Sequence, residues 1–83
     1  MPTGDHRRPD QPRLYSRALA GRVPAEALTT RDRHLLVATL HRLGWTDTRI
    51  AAHTRMTTYT TTRIRAQLGL HPNTRPVALE GAA

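Results

Sequence analysis

The sequence predicts a small all-α domain, a trihelical unit preceded by one or two extra helices and flanked by disordered ends. Three observations predict it. In "RDRHLLVATLHRLG" the residues Leu36, Leu40 and Leu43 recur at i, i+4 and i+7, the spacing of one helical face. Thr29, Thr46 and Thr57 stand where a hydroxyl would hold the first free N–H groups of a helix. Gly21, Gly44 and Gly69 stand where glycine would let a helix end in the left-handed conformation.

The elements follow in order. Residues 1–12 hold three prolines and read as a disordered basic arm. In "RLYSRALA" Leu14, Ala18 and Leu19 share a helical face that Gly21 closes, and Pro24 suits the first turn of another short helix in "VPAEAL". Segment 13–28 is expected to cover the core or to form a dimer contact; the pattern leaves both open. Thr29 then caps the main helix, with Asp32 in the place of a capping-box acid. Val37 widens the leucine stripe, and Gly44 ends it. "TDTRIAAHT" reads as a short helix around Ile50 and Ala51, capped by Thr46.

The stretch "RMTTYTTTRIR", Arg55 to Arg65, is ambiguous on propensity, since threonine and tyrosine favour strands. A strand would put Met56, Thr58, Thr60, Thr62 and Ile64 on one face, a mixture of hydroxyls and apolar groups. A helix, at ~100° per residue, gathers Thr61, Ile64 and Leu68 on one side and Tyr59, Thr62, Arg63 and Ala66 on the other. The stretch also runs into "AQLGLHP", where Gly69 and Pro72 form a helix ending. It is therefore predicted helical, with Thr57 as N-cap, and residues 71–83 read as a mobile tail.

Composition narrows the function. The chain has 83 residues, enough for one domain, and no cysteine, so disulfides and thiolate zinc sites are excluded. Thirteen basic residues, all arginine, face six acidic ones, with pI ≈ 11.7, which favours a polyanionic partner. The absence of lysine also suggests a GC-rich genome, as in actinobacteria. No apolar run approaches the ~20 residues of a membrane span, and "MPTGDHRRPDQPR" lacks the apolar stretch of a signal peptide. A cytoplasmic, nucleoid-associated protein with no membrane partner is expected. There is no glycine-rich phosphate loop, no nucleophile beside a base and no carboxylate pair, so no enzyme and no cofactor are expected. His34 and His41 lie seven residues apart without a joining carboxylate, so no metal site is expected.

Residues 47–66 fit two helices crossing at a steep angle. Ala51 is the small residue where they meet, with Ile50, Thr54, Met56, Thr61 and Ile64 around it. Arg55 occupies the turn position where glycine is usual. Residues 29–70 thus read as a helix-turn-helix domain.

"LTTRDRHLLVATLHRLGWTDTRIAAHTRMTTYTTTRIRAQLGL", residues 28–70, resembles the three-helix DNA-binding domains of bacterial regulators. "LTTRDRHLL", "GWTDTRIA" and "MTTYTT" are similar to LuxR-type domains and to sigma factor region four. The likeness breaks after Thr61, where "TRIRAQLGL" closes the helix early and no dimerising fourth helix follows. In that respect the chain looks like the simpler homeodomain-like class and like small actinobacterial helix-turn-helix proteins.

The resemblance implies a sequence-specific binder of double-stranded DNA, a small transcriptional regulator or mobile-element accessory factor. Its last helix would lie in the major groove. Carried onto this sequence, Thr58, Tyr59, Thr62 and Arg63 would face bases, and Thr46, Arg49, Arg55, Thr57 and Arg65 would contact phosphates. The "HRRPDQPR" arm would reach an adjacent minor groove. Arg31, Arg33 and Arg42 read as a solvated face, Tyr15 and Trp45 as packing residues, and His53 as a group near the phosphates. Tight binding would need a homodimer or a partner protein, and no small-molecule ligand is expected. The alternative is a protein-interaction module gripping RNA polymerase, a sigma factor or a toxin through an apolar patch at Leu14, Leu19 and Val23. Structured RNA is a third reading.

Overall fold

The longest helix sits at the centre of the fold because its apolar stripe meets every other element. The computed structural model describes residues 8–74. Among them are four α-helices and no strand: α1 (Pro12–Leu19), α2 (Thr30–Arg42), α3 (Asp47–Thr54) and α4 (Thr58–Gln67), with a 3₁₀ turn at Ala25–Ala27. The all-α expectation holds, and the threonine-rich stretch is helical. α2 contacts α1, α3, α4 and the 3₁₀ turn. Its Leu36, Val37 and Leu40 form the core with Ala18, Ala25, Leu28, Ile50 and Ile64.

The three predicted threonine caps are all in place. The Thr29, Thr46 and Thr57 hydroxyl oxygens accept from the N–H groups of Asp32, Arg49 and Thr60 at 3.1, 3.3 and 3.0 Å. Thr54 and Thr61 look poorly suited to a core, yet both are fully buried. Their hydroxyls donate back to the carbonyls of Ile50 (2.7 Å) and Thr57 (3.0 Å), so neither leaves an orphaned polar group. Gly21 has φ +80°, and a Cβ there would stand 2.9 Å from His53 Cε1. Glycine is needed for both reasons.

Tertiary partners correct several local expectations. Leu43 does not extend the buried stripe and is 65% exposed. The chain reverses there, with Gly44 N–H donating to His41 O and Trp45 N–H to Leu40 O. Trp45 consequently covers the core in place of Leu43. Asp32 does not close a capping box. It is fully buried, and its carboxylate accepts from the backbone N–H groups of Asp10 (2.6 Å) and Gln11 (3.0 Å). The Thr29 hydroxyl donates to Asp10 at 2.9 Å, and Arg31 reaches Asp10 and the Arg8 carbonyl.

These contacts shorten the expected arm, because residues 8–11 are tied to the start of α2; residues 1–7 lie outside the described residues. The expected tail is shortened likewise. Asn73 donates to the carbonyls of His41 (2.8 Å) and Trp45 (3.0 Å), and His41 donates to His71 O at 2.6 Å. Residues 75–83 lie outside the described residues.

Segment 13–28 covers the core. Leu14, Leu19 and Val23, the apolar patch expected of an interaction module, lean against the buried cluster together with Tyr15. The Tyr15 hydroxyl lies 2.8 Å from Thr39 Oγ1 and donates to Leu35 O at 3.2 Å. Arg33 is not solvated as expected. It donates to the carbonyls of Ala25 (3.3 Å) and Leu28 (3.1 Å), the first residue of the 3₁₀ turn and the residue that caps its end. Among the described residues no buried side-chain nitrogen or oxygen lacks a hydrogen-bond partner.

Candidate nucleic-acid interface

α4 has two chemically different faces. Thr61, Ile64 and Arg65 are buried and Leu68 leans inward, while Thr58, Tyr59, Arg63, Ala66 and Gln67 are exposed. The division follows the ~100° advance per residue, because Ile64 within the helix and Leu68 at its C-cap are the aliphatic side chains that pack against the core. Tyr59 is left 72% exposed. The helix starts cleanly because Thr57 both accepts from Thr60 N–H and donates to Thr60 Oγ1, each at 3.0 Å.

The link between α3 and α4 carries an unusual residue. Arg55 adopts the left-handed conformation (φ 59°, ψ 32°) and is the sole described non-glycine residue with positive φ. Arginine therefore takes up the glycine-like turn geometry directly, at a steric cost of roughly 1 kcal/mol. The return leaves its side chain exposed between the two helices, where it has no hydrogen-bond or ion-pair partner among the described residues.

From Thr46 to Leu68 there is a single acid, Asp47, against Arg49, Arg55, Arg63 and Arg65. That acid is neutralised internally. Arg65 Nε donates to both Asp47 oxygens, at 2.9 and 2.8 Å, and Arg65 Nη1 donates to Leu70 O at 2.7 Å. Both side chains are largely covered, 11% and 15% exposed. The expected phosphate role of Arg65 is thereby corrected: its guanidinium joins the first turn of α3 to the end of α4. Thr62, expected to face bases, is half-buried, and its hydroxyl donates to Asp47 at 3.0 Å.

The other candidate arginines stay on the surface. Arg63 is exposed and has no hydrogen-bond or ion-pair partner among the described residues. Arg49 is exposed at the start of α3, with its guanidinium carbon 3.9 Å from the centre of the Trp45 ring, a cation–π contact that fixes its direction. Trp45 meets His53 edge-on at 4.9 Å. His53 turns inward and donates to Leu19 O at 2.8 Å, so the expected place near phosphates is corrected to a packing role. Thr46 is half-buried and Thr57 exposed, each spending its hydroxyl on its own helix.

Two further side chains belong to the same face. Thr60 and Gln67 line a cleft of about 330 Å³ between α2 and α4, together with Thr30, Arg33, His34, Arg63 and Ile64. The helical wheel carries the signal for Gln67, one turn beyond Arg63. Nothing local indicates that α2 would complete the cleft.

Comparison with protein-family models, curated proteins and solved structures gave no match.

Proposed function

We propose that α3 and α4 form a helix-turn-helix and that the protein binds double-stranded DNA with α4 in the major groove. The observation that carries this reading is the outer face of α4. An exposed tyrosine stands beside an arginine whose side chain has no partner among the described residues, on a helix whose buried polar side chains are all hydrogen-bonded. A cationic face built of short hydroxyl side chains allows the backbone to come close to a duplex, and arginine can donate two bonds to guanine O6 and N7.

In this reading Arg63 supplies sequence preference and Thr58 and Tyr59 contact neighbouring base edges or sugars. Arg49 and Arg55 contact phosphates on either side. They are assisted by the N-terminal N–H groups of α3 and α4, where the helix dipole favours anions. Arg65 does not touch DNA; it holds the two helices together.

One module of this kind covers only about 600–1,000 Å² on DNA. Stable occupancy therefore calls for a second copy, a tandem site or a partner. The role that follows is that of a small transcriptional regulator or an accessory factor acting at DNA.

The test is fluorescence anisotropy of mixed duplex fragments across a salt series. Binding should weaken steeply with salt, as several phosphates are neutralised. Arg63→Ala should remove the preference between fragments, worth about 1–3 kcal/mol. Arg49→Ala should weaken all fragments alike and lower the salt slope by about one. Absence of binding at low salt refutes the proposal.

A further inference from the structure

A threonine hydroxyl ordinarily donates or accepts as its neighbour requires, because the hydrogen rotates freely. At Thr62 that freedom is gone. Its O–H donates to Asp47 Oδ2 at 3.0 Å, and a carboxylate already held by two contacts from Arg65 Nε can only accept. No N–H or O–H of the described residues donates to Thr62 Oγ1 in return. What the half-buried side chain of Thr62 has left to offer is acceptor capacity and a methyl group.

The residues one turn either side, Thr58 and Ala66, have short side chains and are exposed. At ~100° per residue Tyr59 and Arg63, the long side chains of the outer face, fall more than 90° around α4 from Arg65, the residue that reaches α3. The negative charge behind Thr62 is compensated by Arg65 at 2.8 Å, so a duplex approaching this point does not meet a bare carboxylate.

We infer that Thr62 is a specificity-determining acceptor for an exocyclic amino group in the major groove, adenine N6 or cytosine N4, with Asp47 as its positioning residue. The inference rests on the DNA reading of α4. It assigns Thr62 and Arg63 opposite tasks: Arg63 recognises acceptor edges, as on guanine, and Thr62 recognises a donor edge. Guanine and thymine present O6 and O4 at the same place, and two acceptors facing each other exclude them.

The experiment is selection of bound duplexes from a randomised library, with the base preference read at each position, for the full chain and three variants. For the native chain one position should favour adenine or cytosine by roughly three- to tenfold, the value of one neutral hydrogen bond. Thr62→Val keeps the shape and removes the acceptor, and should flatten that position while leaving the guanine preference due to Arg63. Thr62→Ser should retain the amino preference. In Asp47→Asn the amide oxygen stays with Arg65 and the NH₂ turns to Thr62. That frees the hydroxyl hydrogen, so the preference should extend to guanine and thymine.

An unchanged profile for Thr62→Val overturns the inference while leaving DNA binding intact. So does an Asp47→Asn profile identical to the native one in a folded protein. If the native chain selects nothing and shows no salt-dependent binding, the DNA reading itself falls, and the inference with it.

Discussion

Replacing Asp32 by alanine removes the one fully buried acid of the described fold. Its carboxylate accepts from the backbone N–H groups of Asp10 and Gln11 at 2.6 and 3.0 Å and thereby ties the segment before α1 to the start of α2. Hydrogen bonds to a charged partner are worth about 1.5–3 kcal/mol each. The two together lose roughly 3–6 kcal/mol, from which the recovered cost of burying the charge must be taken. Asp10 and Gln11 are themselves exposed, so water can reach their freed N–H groups. A net loss of about 2–4 kcal/mol is expected.

A chain of 83 residues has a total stability of about 4–12 kcal/mol, at about 0.05–0.15 kcal/mol per residue, so this loss is a large fraction of it. Asp32→Ala should therefore lower the melting midpoint by roughly 10–25 °C, followed by circular dichroism at 222 nm and checked by urea titration. Asp10→Ala, which loses the exposed contacts to Thr29 and Arg31 but keeps its backbone N–H, should cost no more than about 1 kcal/mol. A loss below about 0.5 kcal/mol for Asp32→Ala, the range of ordinary surface substitutions, would refute the latch.

Two other substitutions separate folding from binding. Arg65→Met strips the Asp47 carboxylate of its cation and leaves Leu70 O without its donor. The fully buried case costs about 3–5 kcal/mol, and partial exposure should reduce this to about 2 kcal/mol in a urea melt. The salt slope of DNA binding by the folded variant should not change. Arg55→Gly relieves a left-handed arginine, so stability should hold or rise by up to about 1 kcal/mol, while affinity for all duplexes should fall in an anisotropy titration.

The helices were legible because their signals are local. The stripe through Leu36 and Leu40, the caps at Thr29, Thr46 and Thr57, and the ending at Gly69 each concern a few neighbouring residues. The outer face of α4 was legible for the same reason: once the helical period is accepted, Tyr59 and Arg63 must point away from Ile64. What escaped were partners distant in sequence. Asp32 stands four residues before Leu36 on the apolar stripe, which signals a buried acid, but its donors come from residues 10 and 11. Arg65 looked like one more surface cation because its acid lies 18 residues away. The same pair commits the Thr62 hydroxyl, which no local pattern reveals. Leu43 fits the stripe and is nevertheless exposed, since the chain turns back beneath it and Trp45 takes its place.

The central claim is that the outer face of α4 meets DNA, and the most direct measurement is an ¹H–¹⁵N correlation spectrum recorded as duplex is added. The account predicts that amide shifts, and the Arg63 and Arg55 Nε–H signals, change along Thr46–Arg49 and Arg55–Gln67, while the exposed side of α1 at Arg13 and Arg17 stays still. Shifts confined to α1 and the region of Leu43, with α4 unaffected, would contradict it.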